Sequence, residues 1–247
     1  MVNRSRGWVS SVLLAGAGLS LALVPASPAG ASIPATLIAE YSFDTVSTAT
    51  VTDLTGGGHL LTLSGQWSVT DGVASPAVAF APVSLGTSPS KSDLNPGGRE
   101  FAVSTVFKLP GDTAALPDTP NIVQKGYFSD PGQWKMQLKP DRAYIQCRFK
   151  GTLAAKLVSS SVVGIDDGAW HTATCWRSAK VVGVTVDGVT NQASVDVGDI
   201  SSGRPLRVGA KSLSAPTDQF AGSLDYVAVA VGDGAAALSR SAAPSIP

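Results

Sequence analysis

The chain has 247 residues, and its 18 lysines and arginines balance 18 aspartates and glutamates for a formal net charge of zero. No basic excess exists to neutralise phosphates, which argues against nucleic acid as a partner. A chain of this length can bury the core of one β-sandwich domain, and two cysteines do not make a disulfide scaffold.

The first segment reads as a targeting signal. "MVNRSRGW" carries Arg4 and Arg6 and no acid, "VSSVLLAGAGLSLALV" is apolar, and "PASPAGA" closes on Ala29-Gly30-Ala31, which fits an A-x-A cleavage site. That is the tripartite pattern of a secretory signal peptide. A membrane anchor would need roughly 20 apolar residues, more than this run supplies. The expectation is a signal peptide over 1–31, cleavage after Ala31, and a secreted single domain over 32–247 with no membrane span. Losing Arg4 and Arg6 from the 18 basic residues leaves 16 against 18 acidic, a balance of −2.

Helical periodicity is nearly absent after that. Short runs of Val, Thr, Ile, Phe and Tyr alternate with Gly, Pro, Asp and Asn clusters, as in an all-β sandwich. In chain order the predicted strands are 37–43, 59–65, 78–83, 101–109, 121–126, 134–138, 143–149, 170–177, 180–188, 205–210 and 223–231. Asp187-Gly188 suits a tight hairpin turn, where φ > 0 is required. The tail "AALSRSAAPSIP" reads as a frayed end or a short final turn. No repeat or linker divides the chain.

Alternation assigns faces to these strands. In "AYIQCRF", Ile145, Cys147 and Phe149 point to the core, and Tyr144, Gln146 and Arg148 point away. Cys147 and Cys175, an isolated pair in an exported chain, are expected to form a disulfide worth roughly 3–4 kcal/mol. Cys175 then points inward together with Ala173 and His171, and Thr172, Thr174 and Trp176 point outward. Trp134, Met136 and Leu138 read as core, with Lys135 and Gln137 outward. The reactive-looking cluster "IDDGAWH" therefore reads as architecture. His171 starts a strand on its core side, and Asp166 and Asp167 favour the preceding turn by bonding backbone amides.

"GIDDGAWHTATCWRSAKVVGVTVDGV" resembles the D-G-x-W-H turn, strand and hairpin of laminin-G-like domains, part of the concanavalin A-like lectin/glucanase group. "AEYSFD", "TDLTGGGHLLTLSG", "NIVQKG", "LRVGA" and "FAGSLDYVAVAVG" agree in order, so the resemblance covers about 38–232. It implies an all-β jelly roll of two antiparallel sheets, with ligands often bound on a concave face or at the rim. The glucanase branch carries E-x-D-x-x-E or E-x-D-x-E carboxylates on one strand. Glu40 and Glu100 are the only glutamates here, and neither stands in such a run. The resemblance of "LDYVAVAV" to the group's C-terminal strand implies Asp225 as a ligand of one structural calcium ion. Asp44 of "YSFD" is the second candidate, with main-chain carbonyls near the N-terminal strand and the "GGG" turn completing the shell.

Other chemistries lack their signatures. "LTGGGHLL" has no G-K-[ST] ending for a phosphate loop, His59 and His171 do not make a zinc motif, and no G-x-S-x-G occurs. The outward residues offer more. If the strands holding them are neighbours, Tyr144, Gln146, Arg148 and Trp176 form a polar surface with two aromatic platforms, suited to sugar rings and hydroxyls. Alternatively a loop such as "GYFSDPGQ" or "KGTLAAKLVSSS" covers Trp176. The expected function is noncatalytic recognition of a glycan or an extracellular or cell-surface protein. The alternatives are a polysaccharide hydrolase or lyase with an unrecognised site, and a protein–protein adhesion module.

Overall fold

The structure, a computed structural model, describes residues 34–113, 116, 119–214 and 218–246. The proposed signal peptide lies outside the described residues. Fifteen strands and one α-helix are present among those described. They are β1 Thr36–Tyr41, β2 Val46–Ser47, β3 Thr50–Val51, β4 Leu61–Asp71, β5 Pro76–Ser88, β6 Phe101–Lys108, β7 Asn121–Lys125 and β8 Gln133–Lys139. The chain continues with β9 Tyr144–Lys150, β10 Ala155–Ser159, β11 Trp170–Ser178, β12 Val181–Val186, β13 Val189–Ser194, β14 Leu206–Val208, β15 Gly222–Val231 and α1 Ala235–Ala242.

The strands pair throughout as antiparallel neighbours in the order β10-β9-β8-β7-β14-β5-β15-β6-β11-β12-β13, with β1 beside β15 and β4 beside β5. This is the expected jelly-roll sandwich. β5 belongs to both layers: Val78–Phe80 pair with β15 and Gly86–Ser88 with β14. Between these segments Val83 takes φ 70°, an uncommon conformation for a β-branched residue. At the far edge the Asn191 side chain donates to the Ser159 carbonyl at 2.7 Å, drawing β13 and β10 together so that the sheet almost closes.

The core lies between the layers. Phe101 of β6 meets Trp134 of β8 and Phe149 of β9 at ring-centroid distances of 5.8 and 5.9 Å. Cys147 of β9 and Cys175 of β11 join across it in the expected disulfide, with Cα atoms 5.6 Å apart. Ile145, Phe149, Met136 and Leu138 are buried as alternation predicts.

Four features depart from the sequence reading. β10 forms within "KGTLAAKLVSSS", which reads as loop because polar and apolar residues are mixed on both of its faces. β13 continues past the Asp187-Gly188 turn, where φ is 47° and 81°, and most of its residues are exposed. The paired segments β2 and β3 are too short to leave a pattern. The tail forms α1 rather than fraying, since "AAALSRSA" consists largely of good helix formers. The Glu100 carboxylate accepts from the backbone N–H of Gly234, the helix N-cap, where negative charge is favourable.

Candidate functional site

The His171 cluster is structural in the geometry as well. His171 Nδ1 lies 2.8 Å from Asp187 Oδ2 and Nε2 lies 3.0 Å from Asp167 Oδ1. Asp187 also accepts from the Thr172 backbone N–H at 2.8 Å, and Asp167 from that of Ala169 at 2.8 Å. The bond with Asp187 raises the imidazole pKa, and Asp167 adds to it. With both ring nitrogens committed, the imidazole is left as neither a base nor a metal ligand. It ties the 165–169 turn to the β12–β13 hairpin.

The outward residues do not share one surface. The disulfide links strands in opposite layers, so the outward side of β9 and the outward side of β11 are opposite faces of the sandwich. The condition that would have joined Trp176 to Tyr144, Gln146 and Arg148 is not met. Trp176 is half-buried, packs against Ala102, Ala230 and Ala235, and donates from Nε1 to Thr185 Oγ1 at 3.2 Å. Its ring lies over Gly183, where a Cβ would stand 2.3 Å from Trp176 Cζ2. Neither loop considered as a cover for Trp176 does this; the start of α1 and the bare Gly183 backbone do.

The opposite face, on β7, β8 and β9, holds a groove of about 270 Å³. Register places Lys135 opposite Arg148, Gln137 opposite Gln146 and Lys139 opposite Tyr144. Arg148 lies in the groove floor, 8% exposed, donating to the Gln133 side-chain oxygen and standing 4.3 Å from the Phe128 ring centroid. Phe128 is 75% exposed at the rim. Gln146 stands at the border, accepting from Gln137 at 2.7 Å and donating to Ser159 Oγ at 3.0 Å. Tyr144 is not part of the groove lining; it sits at the start of β9, with the Arg142 guanidinium 5.3 Å from its ring.

The rest of the floor is amide and ammonium. Asn121 Nδ2 donates to Gln124 Oε1 at 3.0 Å, which leaves Asn121 Oδ1 and Gln124 Nε2 buried and without a partner among the described residues. Buried polar atoms are normally satisfied, so two unsatisfied ones in a groove floor are free to meet a ligand or water. Lys135 forms no salt bridge with a described residue. Burial, reinforced by Lys211, Arg148 and Lys139 and opposed by Asp218, brings its pKa down to about 8. Lys211 and Asp218 pair at 2.6 Å on the groove wall.

Asp225 and Asp44 come together elsewhere. Asp225 falls at the β-bulge of β15, 2% exposed, and its Oδ1 accepts one backbone bond, from Val73 at 3.3 Å. Burial, with Asp44 nearby, raises its pKa. Asp44 accepts from the Ser75 hydroxyl. A Cβ on Gly72 would stand 2.0 Å from Asp225 Oδ1 and 2.3 Å from the Ser75 carbonyl oxygen, so only glycine leaves that space free. These hard oxygen donors suit calcium. Among the described residues no group of three or more His, Cys, Asp or Glu is arranged to hold a metal ion, so neutral oxygens would fill most of a shell. The turn beside these carboxylates is 71–76, not Gly56–Gly58, which hangs instead from Asp53 and Lys91.

No known family profile matches the chain, and no curated protein matches it by sequence. Solved structures do share its fold. The binding domain of Paraclostridial Mosquitocidal Protein 1 superposes with a TM-score of 0.60 at 18% identity, over 78% of this chain and 48% of that one. Domain 4 of AbnA, a GH43 extracellular arabinanase from Geobacillus stearothermophilus solved with arabinotriose, gives 0.59 at 19%, over 80% and 93%. The botulinum neurotoxin serotype G binding domain gives 0.55 at 12%, over 83% and 50%. This chain thus spans about half of the two toxin domains. The likeness shows the jelly-roll fold alone. Mouse laminin alpha1 LG4-5 matches at a TM-score of only 0.43, too distant to argue from.

Sequence reasoning located Arg148, Lys135 and Gln137 on their face and missed Phe128, Asn121 and Gln124. Phe128 lies in "GYFSDPG", a turn-rich segment with no strand pattern to orient it. Asn121 and Gln124 fall in a buried-looking strand, and the bulge between Asn121 and Val123 shifts the alternation there.

Proposed function

We propose that this chain is an exported, noncatalytic binding module of the laminin-G-like kind, released near Ala31, that recognises a glycan in the groove over β7, β8 and β9. One observation carries the reading: an open polar floor holding unpartnered buried amide atoms of Asn121 and Gln124 beside the exposed Phe128 ring. Amides and the Arg148 guanidinium suit sugar hydroxyls, and an aromatic rim suits the C–H face of a ring. The arabinotriose seen with the arabinanase domain of similar fold is in keeping with this. Asp225, Asp44 and the Ser75 carbonyl would hold one structural calcium ion, whose charge would offset the repulsion between the two carboxylates.

The test is binding of residues 32–247 to a panel of glycans and insoluble polysaccharides, with calcium and with chelator. Phe128→Ala and Arg148→Ala should each weaken binding about tenfold or more, while Trp176→Ala should leave it unchanged. Failure of every glycan to bind would end this reading in favour of a protein partner.

A further inference from the structure

The groove floor carries a charge pattern that the fold does not need. Strand register sets Leu157, Arg148, Lys135, Gln124, Arg207 and Thr87 opposite one another in turn, from β10 across to β5. Three of these positions are cationic, and none is acidic. Arg148 and Lys135 are direct cross-strand partners, and like charges so placed destabilise a sheet. Arg207 is engaged elsewhere, donating to the Lys211 carbonyl with its guanidinium 5.4 Å from the Tyr127 ring. Asp218, the acid on the groove wall, is held by Lys211 at 2.6 Å. Arg148 meets a neutral amide and an aromatic ring, and Lys135 has no bonded partner among the described residues. Two adjacent cations thus face an open groove whose one lining carboxylate, Asp218, is paired with Lys211, next to the unpartnered amide atoms of Asn121 and Gln124.

Resting on the glycan reading above, we infer that the ligand is an acidic glycan, with an anionic sugar substituent seated between Lys135 and Arg148. A carboxylate or a sulfate ester there supplies the missing counter-charge, and Asn121 and Gln124 meet the neighbouring hydroxyls. The lowered Lys135 pKa, about 8 with Arg148 from β9, Lys139 from its own strand, and Lys211 and Asp218 from the wall around it, fits this placement. The neighbouring β7 residue, Gln124, adds no charge. A bound anion raises that pKa, so binding takes up a proton and weakens as pH climbs past about 8.

The experiment compares oligogalacturonate and hyaluronan oligomers with their methyl esters, carboxyl-methylated chondroitin sulfate with the same ester after desulfation, and a set of neutral glycans. The expected result is an acidic form bound about 10- to 100-fold more tightly than its uncharged counterpart. Lys135→Gln should lose that preference, and Lys180→Gln, which removes a cation from the other layer, should keep it. Preference for the ester-free uronates or for the sulfated chain identifies the source of the anion. Equal binding of charged and uncharged forms, or binding of neutral glycans alone, overturns the acidic assignment and leaves the glycan reading intact. Binding to none of these sugars removes both.

Discussion

On the outer face of β6 and β11, between Trp170 and Trp176, lie the small or hydroxylated Ala102, Ser104, Thr172 and Thr174, and a helix packs there. On the outer face of β8 and β9 the side chains are long, polar and cationic, and no described helix or strand crosses them. Ala102 and Ala230 let α1 approach closely, and Ser104 bonds both Thr174 at 2.8 Å and Ser239 of the helix at 2.9 Å. Lys135, Arg148, Gln133 and Gln137 are built from the same alternation of inward and outward residues, and they line an open groove instead. The first face is satisfied within the chain. The second is not, and that difference separates a structural surface from a binding one.

The contrast can be tested at graded cost. Breaking the bridge that sets the faces back to back should have the largest effect: Cys147→Ser with Cys175→Ser should lower stability by about 3–4 kcal/mol in denaturant titrations. A chain ending at Gly234 lacks the covering helix and should lose about 2 kcal/mol while keeping its glycan affinity. Lost affinity in that variant would mean the two faces are coupled. Trp176→Ala should cost about 1–2 kcal/mol, read as a fall in Tm, with binding unaltered. Lys135→Met should do the reverse, weakening binding while stabilising the free protein by about 0.5 kcal/mol or more through relief of the Arg148 pairing.

The smallest effect is a pH signature at the β12–β13 hairpin. The His171 pKa is raised above its ordinary 6.5, so its share of stability is present below that value and fades as pH rises through the folded pKa. The Asp167 and Asp187 pKa values are lowered from 3.8, so theirs is present above that value and fades as pH falls through their folded pKa values. His171→Gln should therefore lower Tm most in mildly acidic buffer between these limits. A uniform loss across pH would assign His171 to packing alone.

Much of this fold was legible because the strands alternate cleanly. Eleven predicted strands overlap observed ones, and the inward set of β8 and β9 follows from period two. What alternation cannot state is which layer a strand joins. Cys147 and Cys175 were correctly placed inward, yet the same pairing sends their outward neighbours, Arg148 and Trp176, to opposite surfaces. Had the disulfide been taken as a tie between layers, Trp176 could have been separated from the groove in advance. Phe128 was beyond reach for another reason: its position depends on turn geometry and on the Arg148 guanidinium beneath it, neither of which has a periodic signal. Asp225 gave no hint of its burial beyond the motif, because a bulge rather than alternation turns it inward.

β15 has one more consequence. It is paired on β5, β6 and β1, it is buried along almost its whole length, and it is the last strand among the described residues. Its partners lie far back in the sequence, so the central pairings close long loops, a topology that folds slowly. The layer that holds β6 and β11 to β13 cannot be joined to β5 and β1 before residue 231 is available. During synthesis β1, β5 and β6 must wait with open edges, exposed to aggregation and to proteases. A chain cut short before β15 leaves the edges of β5 and β6 unpaired and should be cleared rather than left half-functional.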